Sequence, residues 1–296
     1  MLTPLPDSVN VKVSPALADD FLKEARQLPL YDNREFYVTS LQAHVHNQIR
    51  VRCQDGFDWL IGSITERIAQ WPYCALIHGL CFDEGNRLFV AISRAFGELV
   101  ALPYQKPRAQ LVHYIQPATD IPSPRGGQES ERLHTDTTDW EVPVDLVSMF
   151  CMRADPNGGG RSRILDIDSV RAEVLKSLGP DFLEVLETDP VPWPLAECFG
   201  GGLKWRTVLT KTEMCWRRYS INLALDSMQA RLSNNMLEVL DAFEKLLNSS
   251  TQTFDFLMRE GQLLVSDNIR TIHARTPISD GAASERLMVR SWIRTY

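Results

Sequence analysis

The chain has no CxxC pair, no internal repeat, no low-complexity tract and only six histidines. It also lacks any apolar run approaching the roughly eighteen residues that a membrane-spanning helix needs. Each absence removes a class of function. Six cysteines without metal-type spacing, four of them in apolar or aromatic surroundings, read as buried free thiols of a reducing cytoplasm rather than a disulfide framework. The N-terminal stretch MLTPLPDSVNVKVSP has two prolines and no apolar core, so it does not read as a secretory signal. Basic residues number 31 against 38 acidic ones, a net charge of −7. A chain built to grip phosphate backbones would be basic, so nucleic acid is not an expected partner. The expectation is a cytoplasmic protein acting on a small molecule, with neither membrane nor nucleic acid as partner; homo-oligomer formation is left open.

What is present is ordinary globular material: 296 residues, 44% apolar and 23% charged. No stretch looks like a linker, so residues 1–296 are read as one domain, mostly helical over 1–108 and strand-rich over 109–296. Helical spacing of apolar residues predicts helices over 15–28, 57–71 and 85–100, with a short buried strand over 73–80. His44 and His46 alternate and read as part of a surface strand. Beyond residue 108, short runs rich in β-branched and aromatic residues predict strands at 109–115, 145–152, 162–168, 217–225, 262–268 and 286–293. Two helices, 169–188 and 233–248, interrupt them. The fold class is therefore mainly β with flanking helices (α+β), a barrel or double-sheet fold. Two stretches read as long loops of the kind that cover sites, 116–133 and 189–207, the second with the hinge-like run Gly200, Gly201 and Gly202.

Chemistry gathers in three places. In RLHTDTTDW, His134 and Asp136 lie two apart, so on a strand they share a face and can offer two ligands to one metal. In QLLVSDNIRTIHAR, an apolar run is followed by His273, which would complete a His-Asp-His set. Such a set suits non-haem Fe(II), because it leaves three coordination positions open. In ERLMVRSWI, Arg286 and Arg290 lie an even number of residues apart on an apolar strand. Two guanidinium groups directed inward need anions, and a carboxylate matches the arginine fork.

HTD at 134–136, GGRS at 159–162, DNIRTIHAR at 267–275 and RLMVR at 286–290 stand in order and spacing such that the sequence resembles the taurine dioxygenase family of Fe(II)/2-oxoglutarate-dependent oxygenases. The resemblance spans residues 73–296. It implies a distorted double-stranded β-helix, or jelly roll. It also implies that His134, Asp136 and His273 bind Fe(II), and that Arg286 pairs with the far carboxylate of 2-oxoglutarate. Ser162 would hydrogen-bond the same carboxylate, although it stands where the family usually has threonine. Arg290 would lie in the cosubstrate or substrate region. The carboxylate of Asp136 implies hydroxylation or another oxidation by O2 rather than halogenation. His113, Thr135, Thr137 and Asp139 are candidate substrate contacts, and Trp140, Trp193, Trp205 and Trp216 suggest a compact, partly apolar, amino-acid- or peptide-derived substrate, such as an intermediate of natural-product biosynthesis. The rival from another class is a non-catalytic, cupin-like ligand-binding protein with a vestigial metal site.

Overall fold

The computed structural model describes residues 3–32, 35–101, 111–116, 131–278 and 286–296. Two sheets pack face to face, each covered on its outer side by helices. The larger sheet uses β1 (Asn10–Lys12), β2 (Cys74–His78), β3 (Glu98–Val100), β4 (His113–Ile115), β5 (Leu146–Arg153), β10 (Leu263–Asp267) and β12 (Leu287–Arg294). Their order is β1-β2-β10-β5-β12-β3, with β4 also on β12. The smaller sheet is ordered β11-β6-β9, from β6 (Ser162–Asp166), β9 (Phe254–Phe256) and β11 (Thr271–Arg275). Between the sheets lie Leu76, Cys151, Leu264 and Met288 from the larger and Ile164 from the smaller. Burial on both faces explains why β10 reads as an unbroken apolar run, Leu263 to Val265, rather than as an alternation.

The outer face of the larger sheet, with Ala75, Ile77, Phe150 and Val289, packs on three helices: α1 (Pro15–Arg26), α2 (Thr39–Ile68) and α3 (Arg87–Arg94). Ser14 caps α1 by accepting from the Leu17 amide, with Pro15 at the first helical position, where its missing N–H costs nothing. The outer face of the smaller sheet, with Leu165, Ile272 and Ala274, is covered by α4 (Ile167–Ser177), α5 (Pro180–Thr188) and α7 (Asn234–Ser249), together with α6 (Arg218–Ser227). No helix among the described residues is long and apolar enough to cross a membrane.

Several elements differ from the sequence expectation. Strands β1, β2 and β3 come from the first hundred residues yet lie in the larger sheet. The stretch around His44 and His46 is helical, not a strand: Gln42, Val45 and Ile49 recur at helical spacing, and α2 runs on to a kink at Gln54 (φ 40°). The ring of His46 bonds the Ala91 carbonyl. The helix expected over 85–100 ends at Arg94, and its tail is β3. The strand expected over 217–225 is instead α6 from Arg218 on, because the buried Ser220, Ile221 and Ala224 follow helical rather than alternating spacing. The helix expected over 169–188 divides at Gly179, whose φ of 97° precedes Pro180. Within the expected loop 189–207, β7 (Val191–Pro194) pairs with β8 (Leu203–Arg206). Most of the long loop at 116–133, the start of the strand at 109–115 and Glu285 lie outside the described residues.

Candidate metal centre

The site forms where the inner faces of the two sheets meet. On β11, His273 pairs with Ile164 and Arg275 with Ser162, so all four side chains share the face that Ile164 turns into the core. His134 is added to the edge of β11 by a reciprocal pair of backbone bonds, His134 N–H to His273 carbonyl and the reverse, each 2.9 Å. The bridge places the two imidazoles with centroids 4.6 Å apart. Asp136 follows two residues on. Its Oδ1 lies 3.6 Å from His134 Nε2 and 3.7 Å from His273 Nε2. Among the described residues, these three side chains bring one ligand atom each within 4.8 Å of one another.

The segment after His134 is held from both sides. The Thr135 amide donates to the Trp216 carbonyl at 2.7 Å, and the Thr135 hydroxyl receives the Trp216 amide and donates to the Met214 carbonyl. Thr137 adopts φ 58°, uncommon for a β-branched residue, and its hydroxyl accepts from the Val144 amide at 2.8 Å. Both threonine hydroxyls, read from sequence as candidate substrate contacts, are thus engaged with backbone. Fully buried Asn268 accepts from the Asp136 amide at 2.9 Å and donates to the Val144 and Asp136 carbonyls. Asn268→Ala would strand those groups, and a loss of roughly 1–3 kcal/mol is expected in urea unfolding. A loss within error would show that water replaces the amide.

Electrostatics favour ligand-competent protonation states. His134 Nδ1–H donates to the Arg132 carbonyl at 2.8 Å, which leaves the Nε2 lone pair facing Asp136. Burial, helped by the charges of His273 and Arg217, pushes His134 down to about 4, the neutral form a metal requires. Burial works to raise the Asp136 carboxyl, but the Arg290 charge, His273 and His134 outweigh it and hold it well below the ordinary carboxylate range. Among the described residues, His273 Nδ1 is buried without a partner. This donor set, two imidazole nitrogens and one carboxylate oxygen on one side of a point, fits a borderline divalent ion with open positions.

Arg286, Met288, Arg290 and Trp292 alternate along the inner side of β12 and its entry. Arg286 is buried, and its one bond among the described residues is a long 3.4 Å contact to the Gly160 carbonyl. Burial and the Arg275 charge lower its pKa. A buried guanidinium so poorly matched fits an incoming carboxylate. Gly160 is required there: its φ is 62°, and a Cβ would stand 2.6 Å from Arg286 Nε. This is the physical content of the GGRS turn. Ser162 is buried on β6, across from Arg275.

Arg290 donates to Asp136 Oδ2 at 3.1 Å and lies over the Trp292 ring. His113, opposite Arg290 in the β4–β12 register, packs on Trp292 with centroids 4.8 Å apart. Burial and Arg290 push His113 down to about 4, and its Nε2 is buried without a partner among the described residues. Asp139 is half-buried, and its carbonyl accepts from Ala196. Of the four tryptophans expected near the pocket, only Trp140 touches this group, edge-on to Trp292 at 6.0 Å. Trp193 and Trp216 are buried under the smaller sheet, and Trp205 is exposed. Sequence reasoning missed Trp292, Asn268 and Arg275. The first and last stand two residues beyond Arg290 and His273, and that spacing is the signal that could have found them.

No curated protein matches this sequence. Among solved structures, the iron oxygenase OrfP with Fe and alpha-ketoglutaric acid superposes with TM-score 0.72 at 18% identity, covering 99% of this chain and 94% of that one. OrfP with Fe, succinate and (3S)-hydroxy-L-Arg gives 0.72 at 18%, covering 97% and 94%. Asparagine oxygenase with Fe(II), 3-hydroxyasparagine and succinate gives 0.69 at 14%, covering 97% and 94%. At these identities the likeness is one of fold. The sequence itself matches the family described as Taurine catabolism dioxygenase TauD, TfdA family over residues 74–292. Because that match runs from the first inner strand of the larger sheet to the tryptophan behind Asp136, the chain belongs to the TauD, TfdA family and is a 2-oxoglutarate-dependent non-haem iron dioxygenase.

Proposed function

We propose that the protein hydroxylates an unactivated C–H bond of a small amino-acid- or peptide-derived metabolite, and that residues 1–296 act as one catalytic domain. The observation that carries this reading is the meeting of His134, Asp136 and His273 between the sheets, with a single carboxylate oxygen turned toward both imidazoles. In this reading the three side chains hold Fe(II). Iron with 2-oxoglutarate supplies the activation of O2; the protein binds, orients and excludes water. Arg286 clamps the far carboxylate of 2-oxoglutarate, with Ser162 as its neighbour. Arg290 and neutral His113 face the substrate side, where a carboxylate or amide oxygen would satisfy His113 Nε2. Thr135 and Thr137 brace the ligand segment, and Asp139 lies at its end. The hydroxylated amino acids held by asparagine oxygenase and OrfP support an amino-acid substrate here. Six free cysteines and the acidic balance support a reducing, cytoplasmic setting without nucleic acid.

The deciding experiment incubates the iron-loaded protein with amino-acid and small-peptide pools and follows, by mass spectrometry, a gain of one oxygen atom that depends on 2-oxoglutarate. Failure across such pools, with succinate release in another metabolite class, would overturn the substrate assignment. Arg290→Ala is expected to keep 2-oxoglutarate binding within a few-fold while product formed per 2-oxoglutarate consumed falls sharply. Normal coupling in this variant would remove Arg290 from the substrate side.

A further inference from the structure

Asp136 has two carboxylate oxygens, and only one faces the histidines. Its Oδ2 accepts the Trp292 indole N–H at 2.7 Å and Arg290 at 3.1 Å. A metal that must keep three positions open tolerates one oxygen from this carboxylate, because a bidentate grip would take one of them. A carboxylate rotates easily about its last bond unless something holds it. Arg290 supplies charge, but its long side chain does not define a direction. Trp292 does: it is 5% exposed, sits on a strand paired on both sides, and packs against Trp140, Val144 and Val147. The neutral indole adds little charge compensation, so what it contributes to the carboxylate is orientation.

We propose that Trp292 is a positioning residue that fixes Asp136 as a one-oxygen metal ligand by occupying Oδ2. This rests on the reading that His134, Asp136 and His273 hold the metal, and it goes beyond that reading by assigning the group that sets the carboxylate's geometry. Outer partners of metal ligands commonly change metal affinity about 10–100-fold when removed.

The test titrates Co(II) into the metal-free full-length protein, reading affinity by calorimetry and coordination by the visible cobalt bands. Trp292→Phe keeps the ring and removes the N–H. Expected are an affinity loss of about 10–100-fold, altered cobalt bands and an unchanged 2-oxoglutarate KM at saturating metal. Wild-type affinity and bands in Trp292→Phe would overturn the proposal, provided His134→Ala loses Co(II) binding. Wild-type Co(II) binding in His134→Ala would overturn the triad reading and the proposal with it. If Trp292→Phe does not fold, the wild-type protein labelled on indole nitrogen decides. The assigned Trp292 indole proton should exchange slowly and shift or broaden strongly with Co(II). Fast exchange and an unmoved resonance would refute the proposal.

Discussion

His134→Ala and His273→Ala are each expected to reduce product formation to background while leaving the thermal midpoint within a few degrees of wild type. In the proposed triad each side chain is one of three ligands, and two are too few to hold a buried ion against water and buffer. The fold should survive, because the contact that places the two residues is a backbone bridge, His134 N–H to His273 carbonyl and back, which no side chain makes. Losing the His134 ring also frees the Arg132 carbonyl, a local cost. Product assays run beside metal analysis and calorimetry would check this. Turnover at the wild-type rate in either variant would refute the triad assignment.

Arg286→Lys is expected to weaken 2-oxoglutarate binding about 10–150-fold, the equivalent of a charge-assisted bond worth roughly 1.5–3 kcal/mol. Lysine keeps the charge but offers a point rather than a fork, and a carboxylate gripped on two oxygens notices the difference. The position permits no easy compensation. Gly160 leaves no room for a side chain beside Arg286, and Arg275 adds a second positive charge nearby. Equilibrium titration with 2-oxoglutarate would measure the effect. Unchanged affinity would mean that the guanidinium serves only the Gly160 turn.

Much of this fold was legible because its strands are buried in a way that composition reveals. LLVSD, LVSMFCM and RLMVRSWI announce β10, β5 and β12 by their apolar and β-branched content. The His134–Asp136 pair was legible because i, i+2 spacing on extended chain has one geometric consequence, a shared face, whereas His273 carries no such spacing and was legible only by its residue type after an apolar run. RRYSINLAL predicts a strand where α6 forms because it interleaves polar and apolar residues, and a short stretch of that kind satisfies either period. The β7–β8 hairpin was hidden by prolines, which a two-stranded ribbon tolerates because each strand is an edge. The role of Trp292 could not be read from sequence, since its partner Asp136 is 156 residues away and the contact exists only once both sheets have formed. The same holds for Asn268, which reaches 132 residues to Asp136. A ligand advertises itself by residue type; the groups that hold it are defined by folded neighbours.

The outer edge of β12 is shared by two short strands laid end to end. β3 takes Trp292 to Arg294, and β4 takes Met288 to Arg290. Among the described residues, β4 makes three register pairs with β12 and its Tyr114 hydroxyl accepts from Asn86, whereas β12 is bound along its length to β5. Residues on β12 and on β4 therefore have unequal tenure. Arg290 and Trp292 are written into a strand that cannot move without opening the core, while His113 sits on a strand of three residues, anchored by the buried Leu111 and Val112 before it. In such a molecule the residue at position 113 can change with its short strand while the pairing of β12 with β5, which carries Arg290 and Trp292, stays as it is.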